Sequence, residues 1–280
     1  MKTFRIFKLS KIALIAIIIC INFVGCSPED STETITSEKK ITRMIVSNDD
    51  PKSIYITEFN YDKNGKLISH REIDGITEEI KYTFKYIWSN DSIIVTEPNK
   101  NIKQTYLIDN GLVQKYYKND EYDKYNAYHT YNYNLSNKVV RHKYSWAEND
   151  DTATWDGDKL ISNSSIRDMT GLLCKYTNSL ITYEKPCKKG YFPLMYDLLY
   201  NFFDIYDKTI FIAHPEIAGI RTMQLPINYT HSCYNQYDPT TNYYEYEYEF
   251  NDTGYISKIV EKCHYSDTWI DTTYYSFTWE

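Results

Sequence analysis

From Ile41 onward, hydrophobic and polar residues alternate with a period of two. In Tyr244–Phe250, Tyr244, Tyr246, Tyr248 and Phe250 share one face, and Glu245, Glu247 and Glu249 share the other. In Tyr128–Leu135, His129, Tyr131, Tyr133 and Leu135 alternate in the same way with Thr130, Asn132 and Asn134. Such alternation predicts antiparallel strands with one packed and one wetter face. Turn signals separate the runs at Asn64-Gly65, Asp74-Gly75, Asn110-Gly111, Asp156-Gly157 and Thr253-Gly254, each supplying a glycine where a hairpin needs positive φ. The segment Phe59–Ile68 is a strand, a turn and a strand start, and so is Tyr248–Ile256. The same order recurs at Tyr131–Val139 without the glycine, and more faintly at Ala153–Ile161. The chain therefore reads as a degenerate hairpin repeat of about twelve to fourteen strands of ordinary length.

One stretch breaks this period. Pro193–Phe203 spaces its apolar residues three and four apart, which predicts a helix opened by Pro193, with Leu194, Leu198, Leu199 and Phe202 on one face. A second short turn is expected at His214–Gly219. The plain reading of this insertion, near residues 193–219, is a plug over one face or end of the sheet. The sharper one is a lid over a ligand pocket, or a patch touching membrane. The fold expected is all-β: an antiparallel meander of repeated hairpins, open or barrel-like, with one small helical insertion.

The first 25 residues obey a different rule. Lys2, Arg5, Lys8 and Lys11 precede the apolar run Ile12–Val24, which is too short to span a bilayer. Gly25-Cys26 then matches a lipoprotein cleavage site, with Phe23 standing where Leu is usual. This predicts a signal peptide over residues 1–25 and a lipid-bearing Cys26 as the membrane anchor. Residues 26–40, acidic and Ser/Thr-rich, read as a flexible tether, and 41–280 as a single β domain. Removing the signal takes four cations and no acids, so the net charge moves from −7 to −11. An acidic body argues against a nucleic-acid partner. Tyrosine dominates the rings, with 30 Tyr against 11 Phe and 5 Trp. That suits strands with one half-buried face, where the phenol reaches water.

Four cysteines remain beyond the anchor: Cys174, Cys187, Cys233 and Cys263. In an exported protein they are candidate disulfides with three pairings open. Cys174 with Cys187 would close one hairpin and leave Cys233 for Cys263; four unpaired thiols are the alternative. The spacings lack C-x-x-C and the six His are scattered, so neither a metal nor a cofactor is expected. No G-x-S-x-G, H-E-x-x-H or P-loop is present, so the chain is not expected to be an enzyme. Aromatic side chains are the better candidates, because flat rings stack on sugars. Trp88, Trp146, Trp155, Trp269 and Trp279 form the pool. Trp88 and Trp146, each beside Ser and near a polar turn, are the expected exposed pair, while Trp155 is expected to be structural.

Four segments in order resemble a family of Bacteroidetes lipoproteins of unknown function with a porin-like fold. They are Tyr61–Leu67, Ala153–Ile161, the Pro193-led insertion with Pro215–Gly219, and the ending Tyr246–Lys258 followed by a Thr- and Tyr-rich strand. The resemblance covers most of residues 41–280. It implies a long meander curled into a barrel or half-barrel, and it carries no catalytic residues. The residues argue against a membrane pore. A lipid-facing strand face needs an apolar band about 25 Å tall, whereas here Tyr alternates with Glu, Asn, Lys or Thr. The acidic tether resembles the surface-export signals of Bacteroidetes lipoproteins. Asp91-Ser92-Ile93, Asp151-Thr152-Ala153 and Asp271-Thr272-Thr273 resemble their O-glycosylation sequon, making Ser92, Thr152 and Thr272 candidate sites. The expectation is an outer-membrane, lipid-anchored protein on the periplasmic or cell-surface side. Its body would be a non-catalytic binding module for a glycan, peptide or apolar ligand. The alternative is a structural lipoprotein that contacts other envelope proteins.

Overall fold

A computed structural model describes residues 38–50, 52–98, 102–119, 128–145, 150–169, 172–187, 191–199, 209–234, 239–266 and 268–280. The signal, Cys26 and Trp146 lie outside the described residues. Lys39–Glu280 is one compact unit. Its strands are β1 Ile41–Asn48, β2 Ile54–Tyr61, β3 Leu67–Asp74, β4 Ile80–Trp88, β5 Ser92–Glu97, β6 Ile102–Asp109, β7 Leu112–Asn119 and β8 Tyr128–Tyr133. They continue as β9 Val139–Tyr144, β10 Asp151–Asp156, β11 Lys159–Met169, β12 Leu172–Pro186, β13 Gln224–Tyr234, β14 Thr240–Phe250, β15 Ile256–Ser266 and β16 Trp269–Trp279. They pair antiparallel in chain order, and β1 closes on β16, with Met44 opposite Phe277. The sheet is therefore a closed sixteen-stranded barrel. The strands beyond the expected twelve to fourteen arise where connections carry no glycine signal, as between β5 and β6 or β9 and β10.

An antiparallel meander places its connections alternately at two ends. The entry end holds the start of β1, the C-terminal Glu280 and the turns at Gly65, Gly111, Gly157 and Gly254. Lys40, assigned to the tether by composition, exchanges both backbone hydrogen bonds with Glu280 at 2.8 and 3.0 Å. The entry end also holds the β4–β5 and β8–β9 turns and the insertion after β12, and connections that follow odd-numbered strands lie at the far end. Gly75 lies there and corrects its expectation, because the left-handed residue of that turn is Glu78 at φ 60°. Glycine is required at 75 for space, since a Cβ would sit 2.3 Å from the Ile54 side chain.

The tyrosine face points inward. Tyr246, Tyr106, Tyr116 and Tyr131 are buried, while Glu247 and Glu249 on the opposite face are exposed. Outside, Lys258 pairs with Glu249 at 2.9 Å and His264 with Glu245 at 2.9 Å. Arg43, Glu58, Arg71 and Thr83 form one cross-strand row over β1–β4. Charges run through the middle of this wall, where a lipid-facing barrel would carry its apolar band.

The repeat seen in the sequence is an interlocking device at the entry end. The last inward aromatic of an even-numbered strand donates to a backbone carbonyl near the start of the strand before it. Tyr61 donates to Ile41 O at 2.9 Å, Trp88 to Leu67 O at 2.7 Å and Tyr133 to Val113 O at 2.6 Å. Trp155 donates to Val139 O at 2.7 Å, Tyr183 to Leu160 O at 3.0 Å and Trp279 to Ile256 O at 2.6 Å, and Tyr248 reaches Pro226 O. The carbonyls of Ile41, Leu67, Val113, Val139, Leu160 and Ile256 each precede a register shift in the ladder. A bulge disrupts local pairing, and the ring brings a replacement donor. The β5–β6 hairpin has Ile108 at the equivalent place and β5 pairs without a shift, so there the device is missing as a whole. Three turns of this end are built alike. Asp62, Asn134 and Asn251 each accept two backbone N–H bonds through Oδ1, at 2.8–3.1 Å. The left-handed position is taken by Gly65, Asn137 and Gly254, at φ 75°, 58° and 82°. Asparagine tolerates that conformation through its short polar side chain, which is why the middle copy lacks glycine.

The insertion fills the barrel from the entry end. The helix expected from Pro193 to Phe203 is a single turn, α1 Met195–Leu198, preceded by Pro193; Phe202 lies outside the described residues. Leu194, Leu198 and Leu199 are fully buried, as their spacing required. Helix α2, Thr209–Ala213, and a 3-10 turn at Pro215–Ala218 follow. These pieces touch inward faces around the ring. Phe192 packs edge-on against Tyr246, Phe211 against Tyr106, and Tyr191 against Trp279. The Nε2 of His214 accepts from Leu67 N–H at 3.1 Å, and Asn178 donates to Leu198 O at 2.6 Å. Gly219 (φ 65°) closes the plug, and a Cβ there would sit 2.2 Å from Asn137 O. The plug reading of the insertion is the observed one.

Candidate functional site

The sequence candidates do not converge. Trp88 is not exposed: it faces inward, its indole N–H is spent on Leu67 O, and its ring meets His214 edge-on at 5.0 Å. Its neighbouring serine and turn were true signals of a strand end, and the strand end is where the interlocking aromatics sit. Trp155 and Trp279 have the same role. Cys174, Cys187, Cys233 and Cys263 form no disulfide in this structure. Cys174 lies near the start of one long strand and Cys187 just past its end, rather than on either side of a hairpin, so twelve residues of strand, about 40 Å, separate them. Cys233 lies opposite Thr240, and Cys263 opposite Tyr244, four residues away along β14. Burial pushes the Cys187 thiol up to about 12. Of the glycosylation candidates, Ser92 opens β5 and shares a 2.7 Å hydrogen bond with Ser89. Thr152 is exposed on β10, and Thr272 lies on β16 opposite Lys262. Among the described residues no group of three His, Cys, Asp or Glu side chains is placed to hold a metal.

The wall is deepest over β11–β16, where strands run 11 to 15 residues against six to nine in β1–β10. The far-end tip of this deep wall carries several exposed rings. Trp269 is 61% exposed, Tyr265 43% and Tyr243 38%. Tyr265 and Trp269 flank the β15–β16 turn, with centroids 5.0 Å apart, and Trp269 Nε1 donates to Asp271 Oδ1 at 3.0 Å. On the outer side, Thr230, Tyr243 and His264 stand in register across three strands. With Thr241, Tyr265 and Ser266 they line a groove of about 380 Å³. His264 is held by Glu245 and lies 5.7 Å from the Tyr243 ring. Desolvation first, then hydrogen bonding with Cys263, raises the Tyr265 phenol to about 12, so it stays neutral. Rings with exposed faces, hydroxyls and a carboxylate thus meet at one tip. A larger groove of about 550 Å³ crosses the outer wall of β1–β4, but Arg71 already pairs with Glu58 there. Trp269 was in the sequence pool. The signal that singles it out is the pair of rings on either side of the polar turn Ser266-Asp267-Thr268.

No family model and no curated protein matches this chain. Its barrel is shared with solved structures. A porin-like protein from Bacteroides uniformis superposes with a TM-score of 0.60 at 11% identity, over 86% of this chain and 98% of that one. A porin-like protein from Bacteroides vulgatus gives a TM-score of 0.57 at 12% identity, over 87% and 99%. The chain has the fold of these porin-like β-barrels.

Proposed function

We propose that this is a lipid-anchored protein of the bacterial outer envelope whose barrel is a non-catalytic module that captures a sugar-bearing ligand at its far end. The observation that carries the reading is the exposed Trp269–Tyr265 pair beside the Tyr243–His264 groove. Chain entry at the opposite end, where Lys40 pairs with Glu280, is compatible with it. The filled interior and charged outer wall favour surface capture over conduction. A scaffold that recruits partners by strand addition is less favoured, because the closed barrel has no free edge. In the same reading Ser92, Thr152 and Thr272 carry O-glycans.

The test is a glycan array with an envelope pull-down, using the intact chain and Trp269→Ala. A specific glycan hit weakened at least about fivefold by the variant is expected, the scale of one truncated contact residue. A blank result with folded protein refutes ligand capture. Mass spectrometry of the N-terminal peptide checks for diacylglycerol on Cys26.

A further inference from the structure

The barrel wall is held by its shortest ladders around β7–β10, and the shortest is the β9–β10 seam, close to a three-pair β7–β8 ladder. Among the described residues, β9 and β10 share only two registered pairs, Asp151 with His142 and Thr152 with Arg141. Side chains bridge what the ladder does not. Inside, Asp151 Oδ2 lies 2.6 Å from His142 Nδ1, and His142 Nε2 lies 2.8 Å from His129 Nδ1 on β8. The three groups are buried, with the His142 and Asp151 side chains 0% and 1% exposed. Outside, Arg141 pairs with Asp150.

Counting protons shows what this chain requires. A carboxylate only accepts, so His142 Nδ1 carries the hydrogen bonded to Asp151. The His142–His129 contact then needs one of its two facing nitrogens to keep a lone pair. With both nitrogens protonated, two N–H groups would point at each other across 2.8 Å. We propose that the His129–His142–Asp151 chain is an acid-operated latch on the β9–β10 seam, and that protonating both facing nitrogens opens this part of the wall. The groups packed on it set its surroundings. The Tyr131 ring stacks on His142 at 5.1 Å, and Tyr116 and Tyr144 bracket His129 at 5.2 and 4.3 Å. Ser165 faces Asp151 from β11, its register following from Thr152 opposite Ser164. Among the described residues, the Asp151 carboxylate lies against His142 inside, and on the outer face Arg141 pairs with Asp150 while Lys143 of β9 is exposed opposite Thr130. The latch is closed at neutral pH and releases on acidification, when the second facing nitrogen takes up a proton.

Hydrogen exchange on the intact protein tests this, with rates corrected for the intrinsic effect of pH. Protection of residues 139–144 and 151–156 should fall at least tenfold between pH 7.5 and pH 5, while β14–β16 keep theirs. His142→Gln should be open at pH 7.5 and lose the step; Arg141→Gln should keep it. A step that survives His142→Gln, or that disappears with Arg141→Gln, overturns the proposal. If His142→Gln fails to fold, nitrogen-15 imidazole spectra of the wild type decide. The latch predicts that the shared-proton signal vanishes at the midpoint of the exchange step, and signals unchanged through that midpoint overturn it.

Discussion

Removing one oxygen tests the interlocking device. Tyr133 donates to Val113 O at 2.6 Å, and its hydroxyl is buried enough that ionisation is pushed far above the ordinary tyrosine range. Tyr133→Phe keeps the ring and its packing and removes only the donor. A buried carbonyl that loses its partner costs about 1–3 kcal/mol, against less than about 0.5 kcal/mol for an ordinary surface change. With about 1.5 kcal/mol lost, and about 2–4 °C per kcal/mol for a domain of this size, Tm should drop about 3–6 °C. The control is Tyr55→Phe, on a residue 64% exposed, which should move Tm by less than about 1 °C. Thermal and urea unfolding by circular dichroism measure both. Tyr61→Phe lies in a separate hairpin and should add to Tyr133→Phe within about 0.5 kcal/mol. Equal Tm values for Tyr133→Phe and Tyr55→Phe would refute the claim that these rings complete the bulges.

Gly219→Ala should cost about 3 kcal/mol or more, because left-handed strain and a clash with Asn137 O coincide; thermal unfolding checks it. Glu261 faces the lumen, and desolvation raises its carboxyl despite hydrogen bonds from Tyr246 and Tyr275. A raised acid contributes stability that is present below its unfolded value, about 4.3, and is lost as pH climbs through its folded value. Glu261→Gln should therefore gain stability relative to wild type as pH rises from 4 to 7, read from urea midpoints. Native Cys187 should resist alkylation at pH 8, with its thiol held up to about 12, and react fully in denaturant without reductant.

Local rules act over a few residues, and those were legible in the chain. Alternation in Tyr244–Phe250 set which residues share a face, and Asp62, Asn134 and Asn251 set the turns through their own side-chain oxygens. Spacing around Leu194, Leu198 and Leu199 identified an apolar insertion. Other features depend on distance in space. Which face of a strand becomes the interior depends on how the sheet curls, and the pairing of β1 with β16 joins residues more than 220 positions apart. Trp88 and Trp269 both stand beside a hydroxyl residue and a turn, yet one completes a bulge inside the entry end and the other is exposed beside Tyr265 at the far end. Cys174 and Cys187 are near in sequence and far in space because the segment between them is extended. Sequence alone determined the period, the turns and the chemistry available to each face. Only closure of the barrel decided which rings are buried, because burial is a property of what comes to lie opposite.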